Sequence, residues 1–436
     1  MGLAVTTHCP AFIRATADGF KDLFPRKTDY RAFVAALCAA FFGVSGYCDI
    51  VRFFLFSPSV SALCSFFQTP NFAPALARRH RRMLMRLYPQ MQKEPSRFLW
   101  VLDDTIIKKS GESIWGVYWW WDHKSKSSVL GHKLLMLGIV DCKRQIFIPV
   151  AWEILHRESE DKNQKAIHEK SWQRALCLLE EVTAFGFPKF TVVADSWFSG
   201  EEFFEELVAK GFDFVMEIRC NRIVEFHGRS KVGQRVDGYF KEIRRENIYF
   251  HTRRKYAAER RLRLQNSKLT LKVVAVANKK SLEDECFAYY VASKLTWNAS
   301  KVWSVFRNRW AIEVQFRDAK QIFALGEAAV RPQEAVELSI AIAMLALTVI
   351  RLEQCSRVGA NEDQYVRPIP AGDIVRELKL ENLKQSISKL AHETLGKPLR
   401  TKISRKLTAR NLNGKPAEER RVTLHFGAQA VLAKSA

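Results

Sequence analysis

Between residues 98 and 218, short apolar runs alternate with turn sequences and then with helical stretches, and this pattern constrains the fold most. Four β-type runs come first, separated by turns rich in Gly, Lys and Asp; they cover 98–104, 115–121, 134–140 and 146–152. After them the pattern predicts a helix, a strand, a helix and a strand, over 165–185, 190–194, 200–210 and 212–218. Strands followed by alternating helices and strands are typical of an α/β domain with a mixed sheet.

Composition narrows the class of protein. At 436 residues the chain is too long for one average domain, so we expect two or three. A hydrophobic content of 47% excludes wholesale disorder. Nine cysteines without a C-x-x-C pair indicate neither a disulfide framework nor a zinc ribbon, which favours a reducing compartment.

The positive charge is concentrated in three segments. The formal net charge is +23, and it is distributed as +8 over 1–97, +13 over 219–280, +8 over 395–436 and −6 over all other residues. This distribution indicates a polyanionic partner that the outer segments hold, although charge alone also suits ribosomes, anionic membranes or plain solubility. Double-stranded DNA is the partner that we expect.

Changes in charge and in hydrophobic pattern divide the chain into five predicted segments. They are a helical region that we expect to bind DNA (1–97), the first part of an α/β core (98–218), a basic β-rich insertion (219–295), the remainder of the core (296–358), and a linker, short helix and basic tail (359–436). Within the insertion, 247–252, 269–277 and 287–292 are predicted strands, and 257–264 is predicted to be helical.

A predicted helix from Asn71 to about Tyr88 has two different faces. Arg78, Arg82 and Arg86 recur every four residues, while apolar side chains occupy another face. The arginines are interpreted either as DNA-backbone contacts or as a solvated face, and we favour DNA.

We expect no membrane-spanning segment. Two uncharged apolar stretches, 32–48 and 338–350, are shorter than the roughly 20 residues that a bilayer requires. We interpret both as buried helices, of which the second also suits an interface. The charged N-terminal thirty residues do not resemble a secretory signal, so a cytoplasmic location is expected.

Two acidic residues end apolar strands. Asp104, with its neighbour Asp103, and Asp195 each follow a run of apolar residues. Carboxylates at strand ends lie where a sheet opens to ligands, although each Asp also suits a turn or a helix cap.

A third acid, Glu313, lies in a predicted helix over 304–323. At about 100° per residue, Phe306, Arg309, Glu313 and Lys320 fall within about 60° of one another. This stripe is either a solvent face with an Arg309–Glu313 pair or part of a site. Brought beside the two aspartates, Glu313 would complete three hard oxygen donors suited to Mg²⁺ or Mn²⁺.

Taken together, three motifs resemble the DDE transposases of bacterial insertion sequences. They are Leu102-Asp103-Asp104-Thr105, Val193-Ala194-Asp195-Ser196-Trp197-Phe198, and Phe306-x-x-Arg309-Trp310-x-Ile312-Glu313-x-x-Phe316-x-x-x-Lys320. The last is similar to the Tyr-x-x-Arg-x-x-x-Glu-x-x-x-x-x-x-Lys signature of the branch that carries a β-rich insertion. The resemblance covers about 98–350.

The resemblance implies a ribonuclease-H-like mixed sheet interrupted by a β-rich insertion, with an N-terminal helical domain. It also implies cut-and-paste movement of an element whose terminal inverted repeats the protein binds, as a homodimer on paired ends. Asp104, Asp195 and Glu313 correspond to the catalytic ligands of two Mg²⁺ or Mn²⁺ ions. Arg309 and Lys320 correspond to DNA contacts near the cleaved end, and Phe306 replaces the signature Tyr.

Two alternatives remain at this point. One is a non-catalytic or domesticated DNA-binding protein, which Phe306 favours and the three acids oppose. The other is a structure-specific nuclease on the same fold. A bacterial, nucleoid-associated location follows from the resemblance.

Overall fold

The computed structural model describes residues 9–123, 125–156, 170–225, 233–250, 253–282, 285–357 and 369–394. Its α-helices are α1 (Ala11–Asp18), α2 (Lys27–Phe42), α3 (Tyr47–Phe53), α4 (Val60–Phe67), α5 (Phe72–Leu87), α6 (Gln90–Lys93), α7 (Ser171–Ala184), α8 (Glu201–Ala209), α9 (Val236–Phe240), α10 (Ala299–Arg307), α11 (Trp310–Gln321), α12 (Gln333–Arg357) and α13 (Ala371–Thr394). Its strands are β1 (Phe98–Lys108), β2 (Tyr118–Asp122), β3 (Ser127–Asp141), β4 (Ile146–Leu155), β5 (Thr191–Ala194), β6 (Phe214–Ile218), β7 (Ile223–Glu225), β8 (Gln234–Arg235), β9 (Glu246–Phe250), β10 (Arg253–Leu264), β11 (Thr270–Ala277) and β12 (Ala288–Ala292).

The described residues form two compact units. The first contains the chain up to Leu87, the short segment Gly111–Trp115 and the chain from Arg317 onward; the second contains Tyr88–Ser110 and Gly116–Phe316. The predicted five-segment division differs from these units, because the N-terminal helices share a unit with the C-terminal ones. Most of the predicted linker and the whole basic tail from residue 395 lie outside the described residues.

The core of the first unit is α12, which packs against α2, α4, α5 and α13. Its side chains from Ile340 to Ile350 are all buried. By length and composition α12 is able to cross a membrane, as is α2 counted together with α3, but 83% of the apolar window of α12 is buried inside the structure. The prediction of a buried helix over 338–350 is therefore confirmed.

The cationic face predicted on α5 is present. Arg78, Arg82 and Arg86 are exposed, and Leu76 and Met83 are buried on another face. The helix also has the predicted bounds to within a residue. The preceding helix, α4, begins at Val60, and the hydroxyl of Ser59 accepts the capping hydrogen bond from Ala62 N at 3.3 Å.

His80 couples the stability of the first unit to pH. Its Nε2 lies 2.8 Å from Thr348 Oγ1, and that hydroxyl donates to Met344 O, so the neutral ring donates to Thr348. Burial, followed by the charge of Arg81, lowers the pKa of His80 to about 3. A lowered pKa stabilises the fold above the unfolded pKa of about 6.5, and that contribution is lost as the pH falls from there toward 3.

We therefore predict that the free energy of unfolding falls by about 2 kcal/mol between pH 7 and pH 5. Urea unfolding at the two pH values measures it. The variant His80→Gln, which lacks the titrating ring, should lose most of this difference; an equal difference in both proteins would assign it to other groups.

The sheet of the second unit has a mixed centre. β3 pairs antiparallel with β1 and with β4, whereas β5 lies parallel to both β1 and β6, which gives the order β4-β3-β1-β5-β6. β2 pairs with β3 at one edge. Three antiparallel strands followed by two parallel ones confirm the predicted α/β, ribonuclease-H-like mixed sheet.

The β-rich insertion continues this sheet. β12 joins β6, and β11 and β10 follow it. The predicted helix over 257–264 is wrong: these residues belong to β10, which pairs with β11 from Tyr256 to Arg263. In this strand buried Leu262 and Leu264 flank exposed Arg263, an alternation with the period of a strand that the high helix propensity of Arg and Leu obscured.

The single helix predicted over 304–323 is also wrong, because it is two helices. α10 ends at Arg307 and α11 begins at Trp310. The buried side chain of Asn308 binds the carbonyl of Ser304 at 2.8 Å and that of Val305 at 3.3 Å, and it accepts from Gln145 Nε2 at 2.6 Å. These bonds stabilise the end of α10, so Arg309 lies in the break.

Candidate active site

The two aspartate motifs meet at the centre of the sheet. Val101 of β1 pairs in parallel with Val193 of β5, so Asp103 and Asp195 stand at the same level two residues farther along. Asp104 follows on the opposite face of β1, and its backbone N–H donates to Asp103 Oδ1 at 2.8 Å. The Oδ1 of Asp195 accepts from the N–H of Trp197 at 2.9 Å, which fixes the carboxylate at the strand end.

Arg309 joins the third motif to this pair. Its Nη1 donates to Asp103 Oδ2 at 2.9 Å, and its Nη2 donates to Glu313 Oε1 at 2.6 Å. Burial lowers the pKa of Arg309, but the charges of Asp103, Glu313 and Asp195 raise it above its ordinary value overall. Three carboxylates from distant parts of the sequence therefore surround one guanidinium.

Burial and neighbouring charges shift the pKa values of both aspartates of β1. Burial, and then the charge of Asp195, raises the pKa of Asp103 well above its ordinary value, and Arg309 opposes this. Burial also raises the pKa of Asp104, whereas Lys133 lowers it and Asp195 raises it further. Such crowding of acids favours the binding of a cation among them.

Lys133 of β3 is the cation beside Asp104. Its Nζ lies 3.1 Å from Asp104 Oδ2, although the angle is not that of a hydrogen bond, and this buried oxygen has no hydrogen-bond partner. A hard carboxylate oxygen without a hydrogen bond suits a divalent ion chemically. The donor set of Asp104, Asp195 and Glu313 thus fits Mg²⁺ or Mn²⁺ in the kind of atom it offers.

These acids do not form a complete metal coordination site. Across the described residues, no three His, Cys, Asp or Glu side chains are arranged to hold a metal ion. The carboxylate of Glu313 is bonded to Arg309. All nine cysteines are free, as the sequence predicted.

A polar cleft of about 490 Å³ opens next to Asp195. Arg219, Asn221 and Arg222 contribute to its wall, together with Ser196 and Trp197. Trp197 has 52% of its surface exposed. Arginines and amides beside an exposed indole suit a nucleic-acid strand better than an apolar ligand.

The predicted signature also contains Phe306 and Lys320. Phe306 is buried, with its ring centroid 4.5 Å from that of Tyr290 and 5.8 Å from the Arg309 guanidinium carbon. We therefore revise its role from a DNA contact to a support for Arg309. Lys320 belongs to the first unit, and its DNA contact stays a prediction.

Three residues of this neighbourhood were missed or set aside. Asp103, which the resemblance passed over in favour of Asp104, is the acid that anchors Arg309. Glu217 of β6 lies near Arg309 and Asp195, whose charges act on it, and burial raises its pKa. The position of Glu217 inside the apolar run 212–218 could have indicated a functional carboxylate from the sequence alone, whereas nothing in the sequence indicated Lys133.

Two family models and a solved structure match the chain. No curated protein matches the chain in sequence. Among solved structures, it is similar to the piggyBac transposase in its synaptic complex with hairpin DNA, with a TM-score of 0.42 and 10% identity, over 95% of this chain and 86% of that one. Residues 173–349 match the family described as a transposase DDE domain. Residues 21–240, half of the chain, match the family described as DDE superfamily endonuclease. By this match, and with its acids gathered around Arg309, the chain belongs to the DDE superfamily of endonucleases.

Proposed function

We propose that this chain is a cut-and-paste DNA transposase, which binds the terminal inverted repeats of a mobile element and catalyses metal-dependent strand cleavage and strand transfer. The observation that carries the proposal is the contact of Arg309 with Asp103, 206 positions away in the chain, and with Glu313, beside Asp195. Acids that converge from three motifs indicate a site rather than three separate turns or caps.

Asp104, Asp195 and Glu313 would hold the metal, which we propose to be two Mg²⁺ or Mn²⁺ ions. When bound, such ions activate a water or a 3′-hydroxyl and stabilise the leaving oxygen. Arg309 orients Glu313 through the 2.6 Å hydrogen bond, and its remaining N–H groups suit a phosphate oxygen. Asp103 holds Arg309 in place.

Cationic surfaces in both units support DNA as the partner. In the first unit the exposed arginines of α5 form one such surface. In the second unit five exposed arginines lie along β10; they are Arg253, Arg254, Arg260, Arg261 and Arg263. Contacts of this kind bind the phosphate backbone without reading its sequence. We propose binding to element ends and to target DNA, as a homodimer on paired ends, in the bacterial cytoplasm at the nucleoid.

The runner-up is a nuclease that cleaves but does not join, which the family description "DDE superfamily endonuclease" favours. The test uses the full chain, a plasmid that carries its coding sequence with the flanking DNA, and a second plasmid as target. With Mg²⁺ or Mn²⁺ we expect excision and, from pre-cut flanking ends, insertion into the target.

Three outcomes are separated by this assay. Insertion of pre-cut ends supports a transposase, and cleavage without any joining supports the nuclease. Binding of the flanking DNA with neither reaction would leave a DNA-binding protein without catalysis. Chelation of the metal by EDTA is the control in each case.

A further inference from the structure

Lys133 stands in the site as a built-in cation. It lies on β3 opposite Ile106 of β1, two residues from the position that pairs with Asp104. Its Nζ is 3.1 Å from Asp104 Oδ2, and only 12% of the lysine side chain is exposed. The same ammonium lies 4.9 Å from the ring centre of Trp197 and 5.5 Å from that of Trp120.

A hydrogen bond holds one of the two indoles beside this ammonium, and a backbone hydrogen bond holds the main chain of the other. The indole of Trp120 donates to Gly131 O at 3.1 Å, and the backbone of Trp197 donates to Asp195 at 2.9 Å. Each indole face attracts a cation by about 0.5 to 2 kcal/mol. The lysine therefore keeps a position among aromatic faces even when its contact with Asp104 is broken.

A divalent ion on Asp104 would compete with this lysine. Oxygen ligands lie about 2.0 to 2.6 Å from divalent ions such as Mg²⁺ and Ca²⁺. Two cations in contact with one carboxylate oxygen would therefore be close together and would repel each other. Asp104 Oδ2 therefore serves either the ammonium or the metal. Arg309 differs, because it is bonded to Asp103 and Glu313 and not to Asp104.

We propose that Lys133 is exchanged for the divalent ion at Asp104 and, held between Trp120 and Trp197, then contacts the phosphate of the bound DNA. This rests on the proposed function, since it names a further residue of that same site. Lys133 lowers the affinity for metal in the absence of DNA and stabilises negative charge on the phosphate in its presence. The two effects of removing it therefore have opposite signs.

The experiment compares Lys133→Met with the wild-type full chain. Mn²⁺ binding is titrated without DNA, by the electron paramagnetic resonance signal of free Mn²⁺, and cleavage is measured at saturating Mn²⁺. We expect Lys133→Met to bind Mn²⁺ about tenfold more tightly, the factor that corresponds to about 1.4 kcal/mol. We expect its cleavage rate to fall about tenfold or more.

Two further variants keep the test decisive. Lys108→Met removes a lysine at the end of the adjacent strand, 3.3 Å from Asp122 and 63% exposed, and should change neither quantity. Lys133→Arg preserves the charge and should bind Mn²⁺ no more tightly than the wild type, which checks the result should Lys133→Met unfold.

The proposed exchange is wrong if folded Lys133→Met binds Mn²⁺ no more tightly than the wild type, even when the wild type cleaves DNA normally. It is also wrong if Lys133→Arg binds Mn²⁺ as tightly as we expect for Lys133→Met. Failure of the wild type to cleave or join DNA bears on the proposed function instead, because the ratio of Mn²⁺ affinities is measured without DNA.

Discussion

Replacement of Asp195 or Asp104 by Asn is expected to lower the rate of DNA cleavage by at least about 1,000-fold, while DNA binding changes little. Removal of a metal ligand forfeits several kcal/mol of charge stabilisation in the transition state, and each 1.36 kcal/mol is about tenfold in rate. Asn preserves the shape of the side chain but not its charge. The exposed arginines that we propose to contact the DNA backbone are unchanged in these variants.

Single-turnover cleavage in Mg²⁺, together with a DNA-binding titration of the same variants, measures the two effects. Asp213→Asn is a matched control, since that carboxylate pairs with Lys294 at 2.9 Å and is 41% exposed, so its loss should be nearly neutral. Normal nicking by Asp195→Asn would count against the whole assignment.

The same series decides between the two acids of β1. If Asp104 is the ligand and Asp103 anchors Arg309, Asp103→Asn should slow cleavage only about 10-fold to 100-fold, as loss of an outer-shell partner does. A larger loss for Asp103→Asn than for Asp104→Asn would assign the metal to Asp103, which stands level with Asp195.

Replacement of Asp141 by Ala is expected to destabilise the second unit by about 3 to 5 kcal/mol, a large part of the roughly 5 to 15 kcal/mol that holds a domain folded. This carboxylate is fully buried and accepts from Arg97 Nε at 2.8 Å and Nη2 at 2.6 Å, from Arg144 Nη1 at 3.1 Å, and from the hydroxyl of Tyr88. Removing the acid leaves the buried Arg97 guanidinium with only the longer contact to Glu94, at 3.5 Å, as a counter-charge.

The free energy of unfolding in urea measures this loss. Asp237→Asn is the matched control, because Asp237 forms a more exposed ion pair with Arg235 at 2.6 Å and should cost about 1 kcal/mol or less. Although burial alone raises the pKa of Asp141, its partners lower it overall, so its contribution is present above the ordinary carboxyl range and is lost in acid. A loss under 1 kcal/mol in Asp141→Ala would show that the pair contributes little.

Sequence patterns located most of the second unit's core, because a strand of that sheet is a short apolar run bounded by turns. The predicted strands 134–140 and 190–194 lie at β3 and β5, although β3 begins at Ser127. β10 was mistaken for a helix because propensity and strand alternation conflict in an Arg-rich segment, and pairing with β11 decides the matter. Residues 304–323 were predicted as one helix instead of two because the break between α10 and α11 depends on Asn308 and its distant partner Gln145.

The sequence by itself predicted Asp104, Asp195 and Glu313 as the candidate acids and determined the mixed α/β sheet, because strand periodicity and motif order are local properties of the chain. Only the tertiary structure decided that Arg309 is held by Asp103, that Phe306 is buried, and that Lys133 lies on Asp104. Those contacts join strands and helices far apart in the chain, and a side chain's charged neighbours follow from register and packing, which no spacing along the sequence records.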